Sequence, residues 1–137
     1  MGKRAKLFGL FVLISAALGF YLQSLAEDFT KEDLKRWEDQ FMATVKEGEK
    51  LFHSGNLGKN QVSCDQCHPN AANTHPETYP KFQKQLGKVT DQAEMINWCI
   101  QNPLEGDPLA AEDPRLIAME SYIMYERRGV PLAPGKH

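Results

Sequence analysis

Two cysteines and a histidine within five residues constrain this chain more than any other feature. Cys64, Cys67 and His68 form the pattern C-x-x-C-H. Two thiols at this spacing can each add across one vinyl group of a haem, and the adjacent imidazole then reaches the iron from the same side. The pattern therefore predicts covalent attachment of one haem c, with His68 as the proximal iron ligand.

A C-x-x-C pair also occurs in thioredoxin-like redox sites and in zinc sites. A thioredoxin-like site needs a βαβ setting, and no apolar run around Cys64 has the alternation or the β-branched residues typical of a strand. A zinc site needs two further ligands, and the candidates Cys99, His53 and His75 lack the paired spacing of a zinc ribbon or finger. Haem attachment is therefore the favoured interpretation.

The N-terminus predicts export, which haem attachment of this kind requires. Basic residues at positions 3, 4 and 6 precede a nearly uninterrupted apolar stretch over residues 7–22, and Ser24 and Ala26 are small residues at the two positions that define a cleavage site. This stretch is short for a bilayer, whose core needs about twenty residues. We therefore expect a signal peptide over residues 1–26 and a periplasmic protein, with an uncleaved membrane anchor as the alternative.

Residues 27–137 are enough for one domain and too few for two. They contain 13 basic and 18 acidic side chains, which gives a net charge of −5. An acidic surface does not suggest a nucleic-acid partner. It is compatible with docking to redox protein partners, either other cytochromes or a membrane oxidoreductase. Contact with a membrane is expected only if the N-terminal segment is retained as an anchor.

The periodicity of apolar residues predicts an all-α, cytochrome c-like domain of about four helices wrapped around one covalently attached haem. The first helix begins after Thr30, a good N-cap, and runs to about residue 53. Its apolar stripe has steps of three and four: Leu34, Trp37, Phe41, Val45, Gly48 and Phe52. Because glycine costs about 1 kcal/mol in a helix relative to alanine, we interpret Gly48 as a point where another helix crosses closely. The first and last helices of many c-type cytochromes pack in this way, and the resemblance implies the same crossing here.

Two further helices are marked by their caps. Thr90 is expected to cap a short helix over residues 91–101, and Asp113 to cap a last helix that ends before Gly129. The intervening residues are rich in Gly, Asn and Pro and are predicted to be loops. The irregular stretch over residues 70–80 is expected to wrap one edge of the haem, and Tyr79, Phe82 and Leu86 are candidates to pack against it.

The ligand opposite His68 strongly affects the redox potential and decides whether a substrate reaches the iron. Six side chains are candidates: Met95, Met119, Met124, Cys99, His53 and His75. Methionine is the commonest answer in a small monohaem carrier. However, the methionines here fall within predicted helices, at spacings typical of core residues, and none lies in a Gly/Pro-rich loop. The residues alone leave the choice open.

Several segments resemble the sulfur-oxidation cytochromes, over about residues 48–135. Residues 96–99 read I-N-W-C and residues 105–109 read E-G-D-P-L, similar to an I-N-x-C run followed by G-x-P-L in thiosulfate dehydrogenases. The tail, with M-E-S-Y-I-M at 119–124, R-G-V-P at 128–131 and P-G at 134–135, is similar to the end of SoxA. In both relatives a cysteine ligates the haem iron. The resemblance therefore implies ligation by His68 and Cys99.

The leading hypothesis for function is an exported monohaem carrier that exchanges electrons with partner proteins. The alternative is a SoxA-like catalytic subunit that oxidises or conjugates thiosulfate or other sulfur compounds at Cys99. The chain departs from the relatives because it has a single C-x-x-C-H, whereas thiosulfate dehydrogenases carry two haems. An enzyme with one haem would need a partner to remove its electrons, and for this reason the carrier is preferred.

Overall fold

The computed structural model describes residues 29–131, and the predicted signal peptide over residues 1–26 lies outside this range. Its helices are α1 (Lys31–Phe52), α2 (Gln92–Gln101) and α3 (Pro114–Glu126), and its strands are β1 (Lys81–Gln83) and β2 (Lys88–Thr90). The expected helical, cytochrome c-like fold is confirmed, with three α-helices in the described range instead of about four. None of these helices combines the length and the apolar character needed to cross a membrane.

The chain divides by its contacts into residues 1–36 and residues 37–137. In the described part of the first unit, Thr30 caps α1 as predicted. Its hydroxyl accepts a hydrogen bond from the Asp33 amide at 3.1 Å, and the Asp33 carboxylate accepts one from the Thr30 amide at 3.1 Å. This reciprocal arrangement satisfies two backbone donors that a helix start otherwise leaves unpaired.

In the second unit, α1 and α3 cross at Gly48, as the sequence predicts. A Cβ at this position would lie 1.9 Å from the carbonyl oxygen of Ala118 and 2.8 Å from the Cβ of Tyr122. Next to this crossing the rings of Phe52 and Tyr122 pack with their centroids 5.1 Å apart. Both side chains are almost completely buried. Glycine therefore sets the distance between the two helices.

The buried core draws on every helix and on the loops between them. Its members are Val45, Phe52, Leu57, Ala71, Ile96, Ile100, Leu104, Leu109, Leu116, Met119, Tyr122 and Ile123. Only the second half of the predicted α1 stripe belongs to it, since Trp37 and Phe41 stay 41% and 46% exposed. The reason is length. With 22 residues against 13, α1 is much longer than α3, so α3 cannot cover the whole of the α1 stripe.

The two strands form an antiparallel hairpin that the sequence did not predict. Phe82 pairs with Val89 and Lys81 with Thr90, and Gly87 occupies the turn with φ +69°. The hairpin also changes the start of α2. Thr90 is part of β2, and Asp91 is the residue that caps the helix by accepting a hydrogen bond from the Glu94 amide at 2.8 Å. The prediction of Thr90 as the cap was therefore wrong by one residue.

Helix α3 has the predicted ends. The Asp113 carboxylate accepts a hydrogen bond from the Arg115 amide at 2.9 Å, and Pro114 occupies the first turn. After Glu126 the chain reaches Gly129, whose φ of +76° is a left-handed conformation that favours glycine. Tyr125 packs against Phe41 of α1 with ring centroids 6.3 Å apart. Tyr122 and Tyr125 thus both contact the first helix.

Candidate haem site

The C-x-x-C-H segment folds into a tight turn between α1 and the hairpin. The backbone amides of Cys67 and His68 both donate to the Cys64 carbonyl, at 3.3 and 3.0 Å. The Cys64 side chain is half-buried and Cys67 is exposed. Because one turn of backbone holds all three residues, both thiols and the imidazole start from the same short segment.

His68 has the hydrogen bonding of a metal-ligating histidine. Its Nδ1 lies 2.9 Å from the Ala72 carbonyl oxygen, and since a carbonyl can only accept, Nδ1 must donate. This fixes the tautomer in which Nε2 carries the free lone pair. A backbone carbonyl on the other ring nitrogen is the usual partner that orients such an imidazole. The residues present therefore fit a haem held by two thioethers and His68 Nε2.

The backbone after His68 is irregular, as expected. It contains two three-residue 3₁₀ turns, Pro69–Ala71 and Pro76–Thr78, with no α-helix or strand before β1. Four non-glycine residues in this stretch have left-handed φ angles between +47° and +62°: Asn70, Ala71, Asn73 and His75. Ala71 is fully buried and anchors the segment in the core.

Cys99 lies in the same site as the attachment cysteines. Burial raises the pKa of the Cys64 thiol to about 12, and the charge of Cys99 is the next cause. Burial likewise raises the pKa of Cys99 to about 11, with the charge of Cys67 adding to it. The three sulfurs are therefore close enough for their charged forms to affect one another, although Cys99 belongs to α2 and the others to the turn. In the chain without haem, both half-buried thiols stay protonated at neutral pH.

Tyr79 belongs to the same neighbourhood. Burial raises the pKa of its hydroxyl, and the charge of Cys99 raises it further. The hydroxyl accepts a hydrogen bond from Gln83, and the Lys81 ammonium lies 4.6 Å from the centre of the ring. Phe82 was also predicted to pack against the haem. It lies between Lys81 and Gln83 along β1, so its side chain is on the opposite face of the hairpin.

Both histidines that competed for the distal position have carboxylate partners. His53 Nδ1 lies 2.7 Å from Asp65 and its Nε2 lies 3.2 Å from the Tyr122 hydroxyl, so both ring nitrogens are occupied. His75 Nδ1 lies 3.0 Å from Glu77. Within residues 29–131, no three His, Cys, Asp or Glu side chains are gathered as a metal-binding cluster.

The three candidate methionines have different environments. Met119 is 1% exposed in the core, packed among residues of α3 and its neighbours. Met124 is 59% exposed on α3. Met95 is half-buried on α2, four residues before Cys99 and hence on the same helix face. Met95 is therefore the natural comparison for Cys99 in an experiment.

A hydrogen-bonded chain ties the attachment turn to the helix crossing. The Asp65 carboxylate contacts the Ser63 hydroxyl and His53, and these two contacts, Ser63 first, lower the pKa of Asp65. His53 continues the chain to Tyr122, whose pKa burial raises to about 12. This group could not be predicted from the sequence, because Asp65 is a variable position in the pattern and Tyr122 lies 69 residues from its partner His53.

The I-N-W-C and G-D-P-L segments are joined by a side-chain clamp. The Asn97 amide donates to the Leu109 carbonyl at 2.9 Å and accepts from the Leu109 amide at 2.8 Å. Gly106 allows close approach, since a Cβ there would lie 2.2 Å from the Leu57 carbonyl oxygen. Asn97 and Gly106 thus hold the loop that follows α2, the helix that carries Cys99.

Replacing Asn97 by alanine is expected to destabilise the protein by about 2 kcal/mol, because two partly buried backbone groups of Leu109 lose their partner. The measurement is urea unfolding of the haem-loaded protein. Asn102→Ala is the matched control. It removes one hydrogen bond to the Trp98 carbonyl on the exposed side of α2 and should cost much less. If both variants lost the same free energy of unfolding, the two Asn97 hydrogen bonds would not be holding the loop.

Comparison with known proteins identifies the family. Residues 47–132 match the family described as SoxA/TsdA, cytochrome c domain, which is more than half of the chain. A thiosulfate dehydrogenase from Psychrobacter arcticus is 28% identical over 108 residues, which cover 69% of this chain and 33% of the relative. This chain therefore spans about a third of the length of that relative.

The fold has a solved counterpart. The crystal structure of SoxXA from P. pantotrophus superimposes with a TM-score of 0.64 and 21% sequence identity, covering 75% of this chain and 40% of the matched one. This similarity supports the cytochrome c-like fold in which the attachment turn, Cys99 and the crossing at Gly48 are placed. Together with the family match, it shows that the chain belongs to the SoxA/TsdA cytochrome c domain family and carries covalently bound haem c.

Proposed function

We propose that this protein is an exported electron-transfer cytochrome of a sulfur-oxidation system, with haem attached at Cys64 and Cys67 and the iron held by His68 and Cys99. The observation that carries the proposal is the position of Cys99, whose charge acts on the thiol of Cys64 while its own pKa responds to Cys67. Bound haem supplies a site that accepts and releases one electron. The chain positions its ligands and shields them from water.

A thiolate ligand has a direct consequence for the redox potential. An anionic, electron-rich sulfur stabilises ferric iron more than ferrous iron, so the potential should be low. The half-buried position of Cys99 strengthens this effect, because less water screens the charge. For the opposite ligand, His68, the hydrogen bond from Nδ1 to the Ala72 carbonyl keeps the imidazole oriented and electron-rich.

The setting of the protein is part of the proposal. The predicted signal peptide implies the periplasm, and a carrier with one haem needs redox partners there. The similarity to the SoxXA structure supports partner cytochromes as the first candidates.

Low-temperature EPR of the oxidised holoprotein tests the ligands. The wild type should give a low-spin ferric signal typical of thiolate ligation, and Cys99→Ala should lose it. Met95→Leu is the matched control, because Met95 lies one turn earlier on the same face of α2 and should leave the signal unchanged. A signal that changes in Met95→Leu and persists in Cys99→Ala would assign the distal position to methionine instead.

A catalytic role at Cys99 is the second candidate, and the similarity to a thiosulfate dehydrogenase favours it. Joining two thiosulfate ions through a new S–S bond releases two electrons. One haem accepts one of them, so an external acceptor must take the other. Thiosulfate oxidation with ferricyanide as acceptor, together with mass spectrometry of the peptide that contains Cys99, tests this role. A carrier gives no turnover and no sulfur adduct.

A further inference from the structure

His53 connects the haem-attachment turn to the crossing of α1 and α3. It directly follows the last residue of α1, and its Nδ1 lies 2.7 Å from the Asp65 carboxylate. Its Nε2 lies 3.2 Å from the Tyr122 hydroxyl on α3. Asp65 is the residue after Cys64 in the attachment turn. One hydrogen bond therefore joins this imidazole to the short backbone segment that carries the haem.

The hydrogen-bond partners determine which nitrogen of His53 carries the proton. The Ser63 hydroxyl and His53 both contact the Asp65 carboxylate, and these contacts, Ser63 first, lower the pKa of Asp65. The carboxylate is therefore ionised at neutral pH and only accepts, so Nδ1 must donate. Burial raises the pKa of Tyr122 to about 12, so its hydroxyl keeps its proton and donates to Nε2 when His53 is neutral. A further proton can bind only at Nε2, and the hydroxyl then turns to accept.

Most of the charged groups around this imidazole are acidic. They are Asp65 in the turn, Glu126 on α3, and Glu49 and Lys50 on α1. After burial, the charges of the three carboxylates are what raise the pKa of Tyr122, whose hydroxyl contacts His53. The ammonium of Lys50 is paired with Glu47 at 3.2 Å. Because the His53 side chain is 35% exposed, a proton can reach it directly from solvent.

We propose that His53 is a positioning residue that couples the haem to solvent protons through Asp65. The proposal rests on the electron-transfer function proposed above. When a redox partner gives one electron to ferric iron, His53 binds one proton from solvent at Nε2, and oxidation releases both. The physical reason is charge, because a cation beside the attachment turn stabilises ferrous iron, which has one positive charge fewer than ferric iron. The linkage is reciprocal, so reduction of the haem strengthens proton binding at His53.

The pH dependence of the haem potential tests this coupling. In the wild type the potential should fall as the pH rises from about 5 to about 8, the range in which an imidazole titrates. His53→Gln should have the wild-type potential at the upper end of this range and a lower one at the acid end. His75→Gln is the matched control and should keep the fall, because His75 also has a carboxylate partner, Glu77 at 3.0 Å, but lies outside the attachment turn.

Asp65→Asn gives a second test with a predicted direction. The change keeps the size of the side chain and both attachment thiols, and it removes the negative partner of His53. Proton binding at Nε2 then weakens, so the fall in potential should move to lower pH by about one unit. A change that only loosened the turn would shift the potential by the same amount at every pH.

Proton uptake provides a measurement that does not depend on the potential. Electrochemical reduction of the ferric holoprotein in weakly buffered solution near about pH 6.5 should remove protons from solution. His53→Gln should take up several-fold fewer protons per electron, and His75→Gln as many as the wild type. If His53→Gln fails to bind haem, NMR of the wild type decides the question. The imidazole signals of His53 should titrate at a higher pH in the ferrous protein than in the ferric protein.

The outcomes separate this inference from the function on which it rests. If the haem has no reversible one-electron step, the electron-transfer function itself fails. If that step is reversible but independent of pH, the coupling is refuted and the carrier function stands. A fall that persists in His53→Gln would assign the proton to another group, such as a haem propionate. A potential that His53→Gln shifts equally at all pH values would leave this residue a structural role only. Either result overturns the proposal.

Discussion

Replacing both Cys64 and Cys67 by serine is expected to leave a chain without covalent haem and without a stable fold. Between α1 and β1 the backbone forms only four 3₁₀ turns of three residues each. Of the 103 described residues, thirteen are buried and apolar, namely the twelve core members and Ala118, and the segment between α1 and β1 contributes just Leu57 and Ala71. A chain this short buries limited apolar surface. Haem is therefore needed as part of the core.

Circular dichroism of the double variant measures this effect. We expect a weak near-ultraviolet signal and no cooperative thermal transition, with helical signal retained in part, as in a molten globule. Cys99→Ser is the control, because it leaves both attachment thiols in place and should keep covalent haem and a cooperative transition. A compact double variant with sharp near-ultraviolet bands and a cooperative transition would show that the protein folds without its cofactor.

Replacing Gly48 by alanine should be the most damaging single change at the helix crossing. In a free helix this substitution is favourable by about 1 kcal/mol. Here the new Cβ would lie 1.9 Å from the Ala118 carbonyl oxygen, a backbone atom that cannot move without separating the helices. Overpacking of this kind typically costs about 1 to 3 kcal/mol, and contact with backbone belongs to the upper end. Subtracting the favourable helix term from this cost, we expect a net loss of about 2 kcal/mol.

Urea unfolding of the haem-loaded variants gives the comparison. Gly87→Ala is the control, since a Cβ there meets no atom within 4 Å, and only its φ of +69° opposes the change. Placing alanine in this left-handed backbone conformation should cost about 1 to 2 kcal/mol. Because the collision at Gly48 involves the backbone of residue 118, adding Ala118→Gly should not restore stability. A stable Gly48→Ala protein would mean that α1 and α3 are farther apart than described.

The features that could be predicted are those whose cause is local in sequence. The caps at Thr30 and Asp113 need only a side chain within three residues of the amide it binds. Gly48 was recognised because a glycine in an apolar stripe requires a packing reason. The cap of α2 was predicted one residue too early. Thr90 pairs with Lys81 in the hairpin, and the local sequence pattern does not show this pairing.

The distal side of the site depends on contacts between distant segments. Residue patterns left six candidates for the iron, and the resemblance to known cytochromes selected Cys99. In the structure, His53 is held by Asp65 and Tyr122, and Met119 is enclosed in the core. Cys99, in contrast, lies near the attachment cysteines. No spacing rule relates α2 to the C-x-x-C-H turn, because the hairpin and the irregular segment between them set the distance.

The sequence by itself determined the cofactor, since two thiols and an imidazole within five residues form a reactive unit whatever surrounds them. It also determined the helical class, because apolar periodicity reflects backbone geometry. Only the tertiary structure decided where Cys99 lies, which half of the α1 stripe is buried and which face of the hairpin is exposed. These properties depend on which surfaces meet after the chain has folded, and residues far apart in sequence determine them together.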